Sequence, residues 1–564
     1  MQARTSTLLT LLFILSGVMP LFSQDGCNPT VAQIELAANN ARARLAQGGA
    51  LWAGGEATNG SYVFPASGQA SAIYSGGIWL GGMRHNGGLS LAASTYKTSG
   101  HTDFWAGPLM QSSGGVGTID ATSCANWDRF FSVDRSDIDA FRADWADGTL
   151  DNPIPESIKR WPAIGNPFFE DINGFVLPNQ ALAPFFDENN DGIYNPSEGD
   201  YPATKEADKA IWWVFNDVGN DHGQTNGQNK LYVEVQMMAY AYASDMEAVN
   251  NTTFYDVRII SKGSEVLDSA YFSIWIDPDL GCYTDDYAGC SPENNMAFIY
   301  NADAIDGEAG CSCPFNTPAY CEDIPMIAIK SLQGFQTAVS GEEGLDMSSF
   351  VVYNNSSVNT SEHTEPNTVE EYAWLMTGRW KDGSPLLDPV GNETAFLYPG
   401  VPNDTVGWSM CSEGTQSNDI RLLMNFGSFR FEPGDVYDAT IAVIGVEQVP
   451  HPCPSLDPIL SASAEVENFY NEVTTATQEL FWEQEAVRVS PNPMTRAAVI
   501  SLIDNSAIIH SIRIYDTQGK IVNEALHIDA NTYLFEKKNL PPGMYFFRLI
   551  SSEGKIGVGK IVIR

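Results

Sequence analysis

Runs that alternate apolar and polar residues dominate the centre of the chain. The segments KAIWWVFND, KLYVEVQMMAYAYA, NTTFYDVRIISKG and SAYFSIWIDP follow one another with little room for helices between them. Tyr232, Glu234 and Gln236 alternate with apolar neighbours, which predicts a strand with one face in water and one in the core. A succession of such strands is typical of antiparallel sheets packed as a sandwich.

The pattern changes on both sides of this region. Residues 31–49 (VAQIELAANNARARLAQGG) place apolar residues at helical spacing and end in two glycines, so we expect a short amphipathic helix there. From Leu51 to Lys97, aromatic and β-branched runs broken by paired glycines predict strands joined by tight turns. Residues 455–486 return to a helical pattern, which predicts a helical connector after the strands.

The amino terminus predicts export. Arg4 precedes the apolar run LLTLLFILSGVM, which is too short to cross a bilayer and is followed by Pro20 and the small residue Ser23. This arrangement is typical of a secretory signal peptide, which we assign to residues 1–23. Elsewhere the sequence shows no stretch that approaches a transmembrane span, so we expect the mature protein outside the cytoplasm.

Charge divides the rest of the chain into two modules. The chain holds 70 acidic and 30 basic residues, but from Val487 onward there are ten Lys or Arg and six Asp or Glu. The tail is therefore net positive, and nearly all of the acidity lies before it. We expect an acidic β-rich body at 24–454, the connector at 455–486 and a separate domain at 487–564. So acidic a body repels nucleic acid and attracts divalent cations.

The tail has its own strand pattern. Its strands are separated by turns at Pro491-Asn492-Pro493, Gln518-Gly519 and Pro541-Pro542-Gly543, which predicts a small sandwich of about seven strands. The PNP opening, the IYDTQGK turn, the LPPGMYFFRL strand and the closing KIVIR resemble the type A carboxy-terminal sorting domain of the type IX secretion system of Bacteroidota. The resemblance implies that the type IX machinery is a partner and carries the protein to the medium or the cell surface.

The body carries a second resemblance. The segments GGIWLGGM, TDFWAGPL, DENNDGIYNPSEGDYP, IWWVFNDVGN and IDPDLGCYTDDYAGC are similar to those of a group of uncharacterised exported Bacteroidota proteins. The similarity covers residues 70–300. It implies a shared surface body and names no reaction.

A short acidic segment, DENNDGIYNPSEGD, has the spacing of an EF-hand calcium loop. Gly192 stands at the sixth position, where the loop must turn sharply. Oxygen ligands at the first, third, fifth, seventh, ninth and twelfth positions are predicted from Asp187, Asn189, Asp191, the carbonyl of Ile193, Asn195 and Glu198.

The surroundings of this loop differ from those of an EF-hand. Pro184 and Pro202 occupy the places where flanking helices would run, so we expect a calcium loop between strands and not a helix pair that opens and closes. The alternative is an ion-free surface turn, because Asp, Asn and Gly are also common in turns.

A second acidic segment, IWIDPDLGCYTDDYAGC, brings four carboxylates into one loop region. Asp277 and Asp279 end a predicted strand, and Asp285 and Asp286 return after the loop. Like charges at a few ångströms repel, so a second calcium is the economical prediction, and a solvated loop whose carboxylates point apart is the alternative. A further polar segment, at 216–222, is predicted to be a plain turn.

Nine cysteines in an exported chain predict disulfides, with at least one cysteine left over. Cys282 and Cys290 bracket a short acidic loop, and Cys311, Cys313 and Cys321 form a cluster, so we expect local disulfides in both places. A zinc site made by the three clustered cysteines is the alternative, although no histidine stands nearby at ligand spacing.

Three observations bear on enzymatic activity. A glycoside hydrolase needs two carboxylates about 5–10 Å apart, a role for which Glu234, Asp277 and Asp279 are candidates. The G-x-S-x-G, H-E-x-x-H and G-x-x-x-x-G-K-[ST] motifs do not occur. Five tryptophans in or beside strands favour core packing over a sugar-binding platform, namely Trp79, Trp105, Trp212, Trp213 and Trp275.

Taken together, the sequence predicts a mainly β protein. Its body is an antiparallel β-sandwich with calcium-binding loops, and a small β-sandwich sorting domain follows. The predicted function is that of a secreted or cell-surface binding or structural protein, in which calcium holds loops rigid. A surface glycan or a protein is the expected ligand. The alternative is an extracellular hydrolase that acts on polysaccharide.

Overall fold

The computed structural model describes most of the chain. The described residues are 26–53, 60–98, 100–111, 115–189, 191–307, 311–337, 344–355, 361–415, 418–477, 487–502, 508–515, 521–538, 540–551 and 556–564. The predicted signal peptide lies outside them. As predicted, the protein is mainly β and its sheets are antiparallel.

The first part of the body alternates short strands with short helices. Its helices are α1 (Ala121–Trp127), α2 (Arg135–Trp145), α3 (Glu156–Lys159) and α4 (Phe169–Asn173). Its strands are β1 (Gln33–Leu36), β2 (Arg42–Ala46), β3 (Ala50–Trp52), β4 (Tyr62–Val63), β5 (Ser71–Ile73), β6 (Ser75–Arg84), β7 (Leu89–Ala93), β8 (Trp105–Ala106), β9 (Met110–Gln111), β10 (Gly117–Thr118), β11 (Phe131–Asp134), β12 (Phe185–Phe186) and β13 (Tyr201–Pro202).

The second part of the body holds the long strands. Its helices are α5 (Glu247–Asn250), α6 (Val369–Met376), α7 (Met410–Glu413) and α8 (Asp457–Thr477). Its strands are β14 (Lys209–Asn216), β15 (Val233–Ala241), β16 (Thr252–Ser261), β17 (Leu267–Asp277), β18 (Asp286–Ser291), β19 (Met296–Asn301), β20 (Met326–Thr337), β21 (Met347–Asn354), β22 (Leu386–Leu387), β23 (Glu393–Thr394), β24 (Ile420–Phe431) and β25 (Val436–Val446). Single turns of 3-10 helix lie at Pro196–Glu198, Pro292–Asn294, Pro314–Asn316 and Ser361–His363.

Two large sheets form the predicted sandwich. A nine-stranded sheet has the order β11-β14-β15-β16-β25-β20-β19-β18, with β8 added beside β14. A six-stranded sheet has the order β21-β24-β17-β6-β3, with β7 added beside β6. Their facing side chains form one apolar cluster, which includes Trp213 and Met237 from the first sheet and Trp79 and Ile274 from the second.

A helical layer covers the outer face of the nine-stranded sheet. Because successive side chains of a strand point to opposite faces, Trp213 faces the other sheet and Trp212 faces this layer. There Trp212 belongs to a second apolar cluster with Phe141 of α2 and Tyr470 of α8. The helix α8 thus occupies most of the predicted connector segment and packs against the body. All five tryptophans weighed as a sugar platform are buried in the core, as expected.

The prediction that one face of β15 is exposed to solvent is wrong. Glu234 and Gln236 are buried, because the segment around Gln180 and Ala181 covers them. The amide of Gln180 donates to the Glu234 carboxylate at 3.2 Å, and the amide of Gln236 donates to the carbonyl of Ala181 at 3.1 Å. Alternation along a strand reports which side chains are polar, and not whether another layer of the protein covers them.

The prediction of an amphipathic helix at residues 31–49 is also wrong. The strands β1 and β2 form an antiparallel hairpin there, with Ile34 opposite Leu45. Asn39 and Asn40 lie at its turn, where the side chain of Asn39 accepts a hydrogen bond from the backbone N–H of Ala41 at 3.1 Å. Asparagine competes for backbone hydrogen bonds in this way, which favours a turn over a helix.

The tail forms two small antiparallel sheets, in agreement with the prediction of about seven strands. The strands are β26 (Val487–Ser490), β27 (Ala497–Leu502), β28 (Ile509–Tyr515), β29 (Ile521–Ala530), β30 (Thr532–Glu536), β31 (Gly543–Ser551) and β32 (Ile556–Ile563). One sheet has the order β26-β27-β30 and the other β29-β28-β31-β32. Phe535 and Phe547, one from each sheet, belong to a common apolar core.

Eight of the nine cysteines form disulfides, all within the described residues. The pairs are Cys27–Cys124, Cys282–Cys313, Cys311–Cys321 and Cys411–Cys453, and Cys290 is buried and unpaired. The local disulfide predicted within the cysteine cluster is present. The local disulfide predicted between Cys282 and Cys290 is absent, because Cys282 pairs with Cys313 instead. The zinc alternative is excluded, since its three cysteines are all oxidised.

None of the helices in the described part of the chain is both long and apolar enough to span a bilayer.

Candidate metal centres

The predicted calcium loop runs from the end of β12 to the start of β13. These two strands pair with Phe186 opposite Tyr201, and the two rings stack with their centroids 4.7 Å apart. The guanidinium of Arg142, in α2, lies 5.3 Å from the centre of the Tyr201 ring. The loop therefore connects two paired strands, as we predicted from the flanking prolines.

The predicted ligands of this loop converge. The amide nitrogen of Asn189 lies 3.2 Å from an oxygen of Asp191 and 3.0 Å from an oxygen of Glu198. The carboxylate of Asp187 accepts hydrogen bonds from the backbone N–H groups of Asp191 at 3.2 Å and Gly192 at 2.8 Å. Side chains from the third, fifth and twelfth positions are thus brought together, and that of the first position is hydrogen-bonded to the backbone of the same turn. Gly192 makes the bend with a φ of 78°, a value that favours glycine.

The two remaining positions are arranged differently. The backbone N–H of Ile193 donates to the Asp191 carboxylate at 2.8 Å, which holds this part of the backbone against the loop. The side-chain oxygen of Asn195 accepts the N–H of Ser197 at 3.1 Å and caps the following 3-10 turn. A side-chain oxygen therefore accepts a backbone N–H at four of the six predicted positions, those of Asp187, Asn189, Asp191 and Asn195.

One residue of this site was missed. Asp200 is fully buried beneath the loop and accepts hydrogen bonds from the backbone N–H groups of Glu188 at 2.8 Å and Asn195 at 2.7 Å. Burial raises the pKa of Asp200 to about 6, and the nearby carboxylates of Asp187 and Asp191 add to that rise. Asp200 ties the two ends of the loop together, a role that the loop spacing does not show.

The four carboxylates predicted to share a second ion divide between two neighbouring clusters. Asp277 and Asp279 lie with Asp419, and one oxygen of each is within 4.8 Å of the others. Asp277 ends β17 and Asp419 immediately precedes β24. The pairing of these strands brings the two residues together. Asp419 is far away in the sequence and was missed.

The protein supplies a cation to this first cluster. A guanidinium nitrogen of Arg421 lies 2.8 Å from Asp277 and also contacts Asp419. Another lies 3.3 Å from Glu365, which accepts a hydrogen bond from the hydroxyl of Tyr96 at 2.8 Å. Burial raises the pKa of Asp277 to about 8, and Arg421 opposes that rise. Asp277 and Asp419 therefore have a counter-charge fixed in the structure.

The second cluster is looser: Asp285 and Asp286 lie near Asp306, but these three are not among the groups whose oxygens all come within 4.8 Å of one another. Asp286 opens β18 and one of its oxygens accepts the backbone N–H of Leu280 at 3.2 Å. Burial raises the pKa of Asp285 to about 7, and the charge of Asp306 adds to the rise. Burial also raises the pKa of Asp306 to about 6. Asp306 was missed, because nothing near it in the sequence marks it as a partner of Asp286.

Glu234, the third candidate for hydrolysis, is enclosed. Its carboxylate accepts the backbone N–H of Leu109 at 2.8 Å and lies 3.4 Å from the ammonium group of Lys262. It belongs to the nine-stranded sheet, whereas Asp277 ends a strand of the six-stranded sheet. Glu234 thus serves packing within the body.

The polar segment at 216–222 is more than a plain turn. The ring nitrogens of His222 lie 3.0 Å from the carbonyl oxygen of Leu91 and 2.9 Å from that of Asp217. Because both acceptors are carbonyls, both nitrogens must donate, so the ring is an imidazolium. Burial by itself lowers the pKa of His222, but the carboxylates of Asp217 and Asp103 raise it to about 9.

Comparison with known proteins identifies the tail. Residues 488–564 match the family described as the secretion system C-terminal sorting domain. This agrees with the resemblance noted in the sequence, and the chain is a type IX secretion cargo, secreted or displayed at the outer cell surface. No curated protein matches the chain.

Solved structures show only distant similarity to the chain. A polysaccharide lyase is 7% identical with a TM-score of 0.18, over 58% of this chain and 34% of its own. Dimeric latent PorU from Porphyromonas gingivalis is 8% identical with a TM-score of 0.11, over 63% of this chain and 31% of its own. The BSP domain of a biofilm-associated protein is 8% identical with a TM-score of 0.14, over 100% and 84%. The chain spans about a third of the length of the first two.

Proposed function

We propose that this type IX secretion cargo is a calcium-stabilised binding or structural protein. The observation that carries the proposal is the loop from Asp187 to Glu198, in which the side chains of Asn189, Asp191 and Glu198 meet within hydrogen-bond distance and the carboxylate of Asp187 accepts a backbone N–H of the same turn. Calcium prefers six to eight hard oxygen ligands of this kind. The loop stands between paired strands, so a bound ion is expected to stabilise it and not to move helices apart.

The charge of the protein supports the same function. A formal net charge of −40 repels itself in a compact chain, and bound divalent cations reduce that repulsion. Outside the cell, where the sorting domain sends this protein, a rigid acidic surface serves to bind other molecules or to build a surface layer. The ligand class that we propose is a surface glycan or a protein.

Thermal melting of the full-length protein tests the calcium. At a free calcium concentration about 100-fold above Kd, one site stabilises the fold by about 2.7 kcal/mol, so EDTA should lower Tm. The variants Asp191→Asn and Glu198→Gln should melt as the wild type does in EDTA and gain less from calcium. The control is Asp388→Asn, since Asp388 also lies in an exposed turn. Equal melting of the wild type with and without EDTA contradicts the proposal.

A glycan array and a polysaccharide digestion assay test the rest of the proposal. Binding to a glycan without release of new sugar ends supports a binding function. Release of sugar ends that persists in calcium-saturated protein favours the hydrolase instead.

A further inference from the structure

We propose that Tyr283 and Phe315 form a docking site for a basic protein on the outside of the body. The two rings stack with their centroids 6.5 Å apart and their planes at 21°. Phe315 is 77% exposed, and Tyr283 is partly buried. The inference deepens the proposed function, on which it rests for the role of a binding protein. It narrows the ligand class to a protein that presents lysine or arginine side chains.

Disulfides bring the two rings together. Tyr283 directly follows Cys282 in the sequence, and the disulfide Cys282–Cys313 ends two residues before Phe315. A second disulfide, Cys311–Cys321, closes the loop that contains Phe315. The aromatic pair is therefore held by covalent bonds on both of its loops. A site that is already ordered loses little conformational entropy when a partner binds.

The backbone is strained where it presents Phe315. This residue has a φ of 60° and a ψ of 18°, in the left-handed region that residues other than glycine rarely adopt. Cys311 and Cys321, at the two ends of the loop, also have positive φ values, of 63° and 64°. A phenylalanine that is strained and mostly in water contributes little to the fold. Strain of this kind is typical of residues that serve a function, and here the exposed ring is the group that serves it.

The loops around the aromatic pair are acidic throughout. Between the end of β17 and the start of β20 the sequence contains nine Asp or Glu and no Lys, Arg or His. Asp303, Glu322 and Asp323 are exposed there, and a β-bridge between Asp306 and Cys321 brings the segments that carry them side by side. In the described part of the chain, no basic side chain forms an ion pair with these three. The surface near the rings therefore attracts cations.

The rings and the carboxylates select the same kind of ligand. The face of an aromatic ring is partly negative, so it attracts a guanidinium or an ammonium group within about 6 Å of its centre. A neutral sugar gains no attraction from the acidic loops, and an anionic sugar is repelled by them. Charge thus favours a basic protein surface over a glycan at this site.

Binding of an octa-arginine peptide tests the inference, with octa-citrulline as its uncharged counterpart. Fluorescence anisotropy measures Kd for the full-length protein at about 150 mM salt, where general attraction between distant charges is largely screened. We expect Phe315→Ser to raise Kd about 2- to 5-fold, the effect of one exposed cation–π contact. Phe315→Tyr keeps a ring and should bind as the wild type does. Val390→Ser, which removes another exposed apolar side chain, should leave Kd unchanged.

Two double variants test the contribution of charge. Glu322→Gln combined with Asp323→Asn should raise Kd and weaken its dependence on salt. Glu170→Gln combined with Asp171→Asn removes the same charge from exposed positions of α4 and should change Kd less. Equal changes in the two double variants would show that only the net charge of the protein matters, and they would overturn the inference.

Phe315→Gly guards against a variant that merely damages the fold. Glycine adopts a φ of 60° without strain, so this variant should melt no lower than the wild type while it binds octa-arginine more weakly. A ring that serves only packing gives the reverse pattern, a lower Tm with an unchanged Kd, and that result overturns the inference.

The outcomes separate this inference from the proposed function. If EDTA lowers Tm but octa-arginine binds Phe315→Ser as it binds the wild type, or binds neither, the inference is overturned and the proposed calcium loop stands. If Kd depends on Phe315 but EDTA leaves Tm unchanged, the calcium loop fails and the docking site stands. A glycan that binds the wild type but not Phe315→Ser, with equal binding of octa-arginine to both, identifies a sugar platform and overturns the inference.

Discussion

Two acidic clusters lie side by side in this protein and balance their charge in different ways. Around Asp277 and Asp419, the guanidinium of Arg421 lies within reach of both carboxylates. Around Asp286 and Asp306, no lysine or arginine forms an ion pair in the part of the chain that the structure describes. Asp277, Asp286 and Asp306 are all buried, so the difference lies in the groups that stabilise these carboxylates. We infer that the first is a structural ion-pair network, whereas the carboxylates of the second accept backbone N–H groups from Leu280, Cys282 and Tyr320.

His222 provides a third case. It lies between Asp103 and Asp217, 4.0 Å from the first carboxylate and 3.5 Å from the second. Its positive charge depends on pH, unlike that of Arg421. The body thus uses a permanent cation in one place and a titratable cation in another.

The largest effect is expected when the permanent cation is removed. Arg421→Met leaves the buried Asp277 without its partner, which should lower the free energy of unfolding by about 3–5 kcal/mol. Denaturant unfolding measures this loss. Arg430→Met is the matched control, because Arg430 is 57% exposed and pairs with Asp268 at the surface, where such pairs contribute about 0–1 kcal/mol. A loss as small as that of the control would show that Arg421 is not the counter-charge.

The next largest effect is a pH dependence of the free energy of unfolding, caused by His222. The pKa of His222 is raised from 6.5 to about 9 in the fold, so its stabilisation is complete below pH 6.5 and is lost as pH rises through about 9. The shift corresponds to about 3 kcal/mol. The difference in unfolding free energy between wild type and His222→Gln, measured from acid to alkaline pH, should shrink over this range. His85→Gln is the control at an exposed histidine, and a constant difference for His222→Gln contradicts the assignment.

The smallest effect is expected on the calcium affinity of the loop at 187–198. Asp200 holds both ends of the loop but is not a predicted ligand, so Asp200→Asn should weaken calcium binding by about 10-fold without changing the number of ions bound. Isothermal titration of the full-length protein measures the affinity and the stoichiometry separately. Loss of a whole ion would make Asp200 a ligand, and an unchanged Kd would remove its positioning role. Asp388→Asn again serves as the control.

The parts of the structure that were predicted correctly depend on neighbours in the sequence. The central strands follow from alternation between 209 and 277, and the tail follows from its turns and motifs. The side chains of Asn189, Asp191 and Glu198 meet because all three lie within one short loop. At 31–49 the apolar spacing suited a helix, but Asn39 and Asn40 favoured a turn.

The rest required contacts between distant parts of the chain. Asp306 reaches Asp286 through the pairing of β18 with β19, and Asp419 reaches Asp277 through the pairing of β17 with β24. The disulfide between Cys282 and Cys313 joins two loops that no spacing rule connects. Burial of Glu234 depends on a covering segment from elsewhere in the chain.

The sequence by itself determined the export route of this protein, its β character and the spacing of the loop that we propose binds calcium. These properties reside in local patterns of side chains, which act through turns, strands and short loops. Only the tertiary structure decided which carboxylates share a buried site and which of them meet a cation. The physical reason is that electrostatic energy depends on distance and burial in three dimensions, and neither quantity can be read from the order of residues.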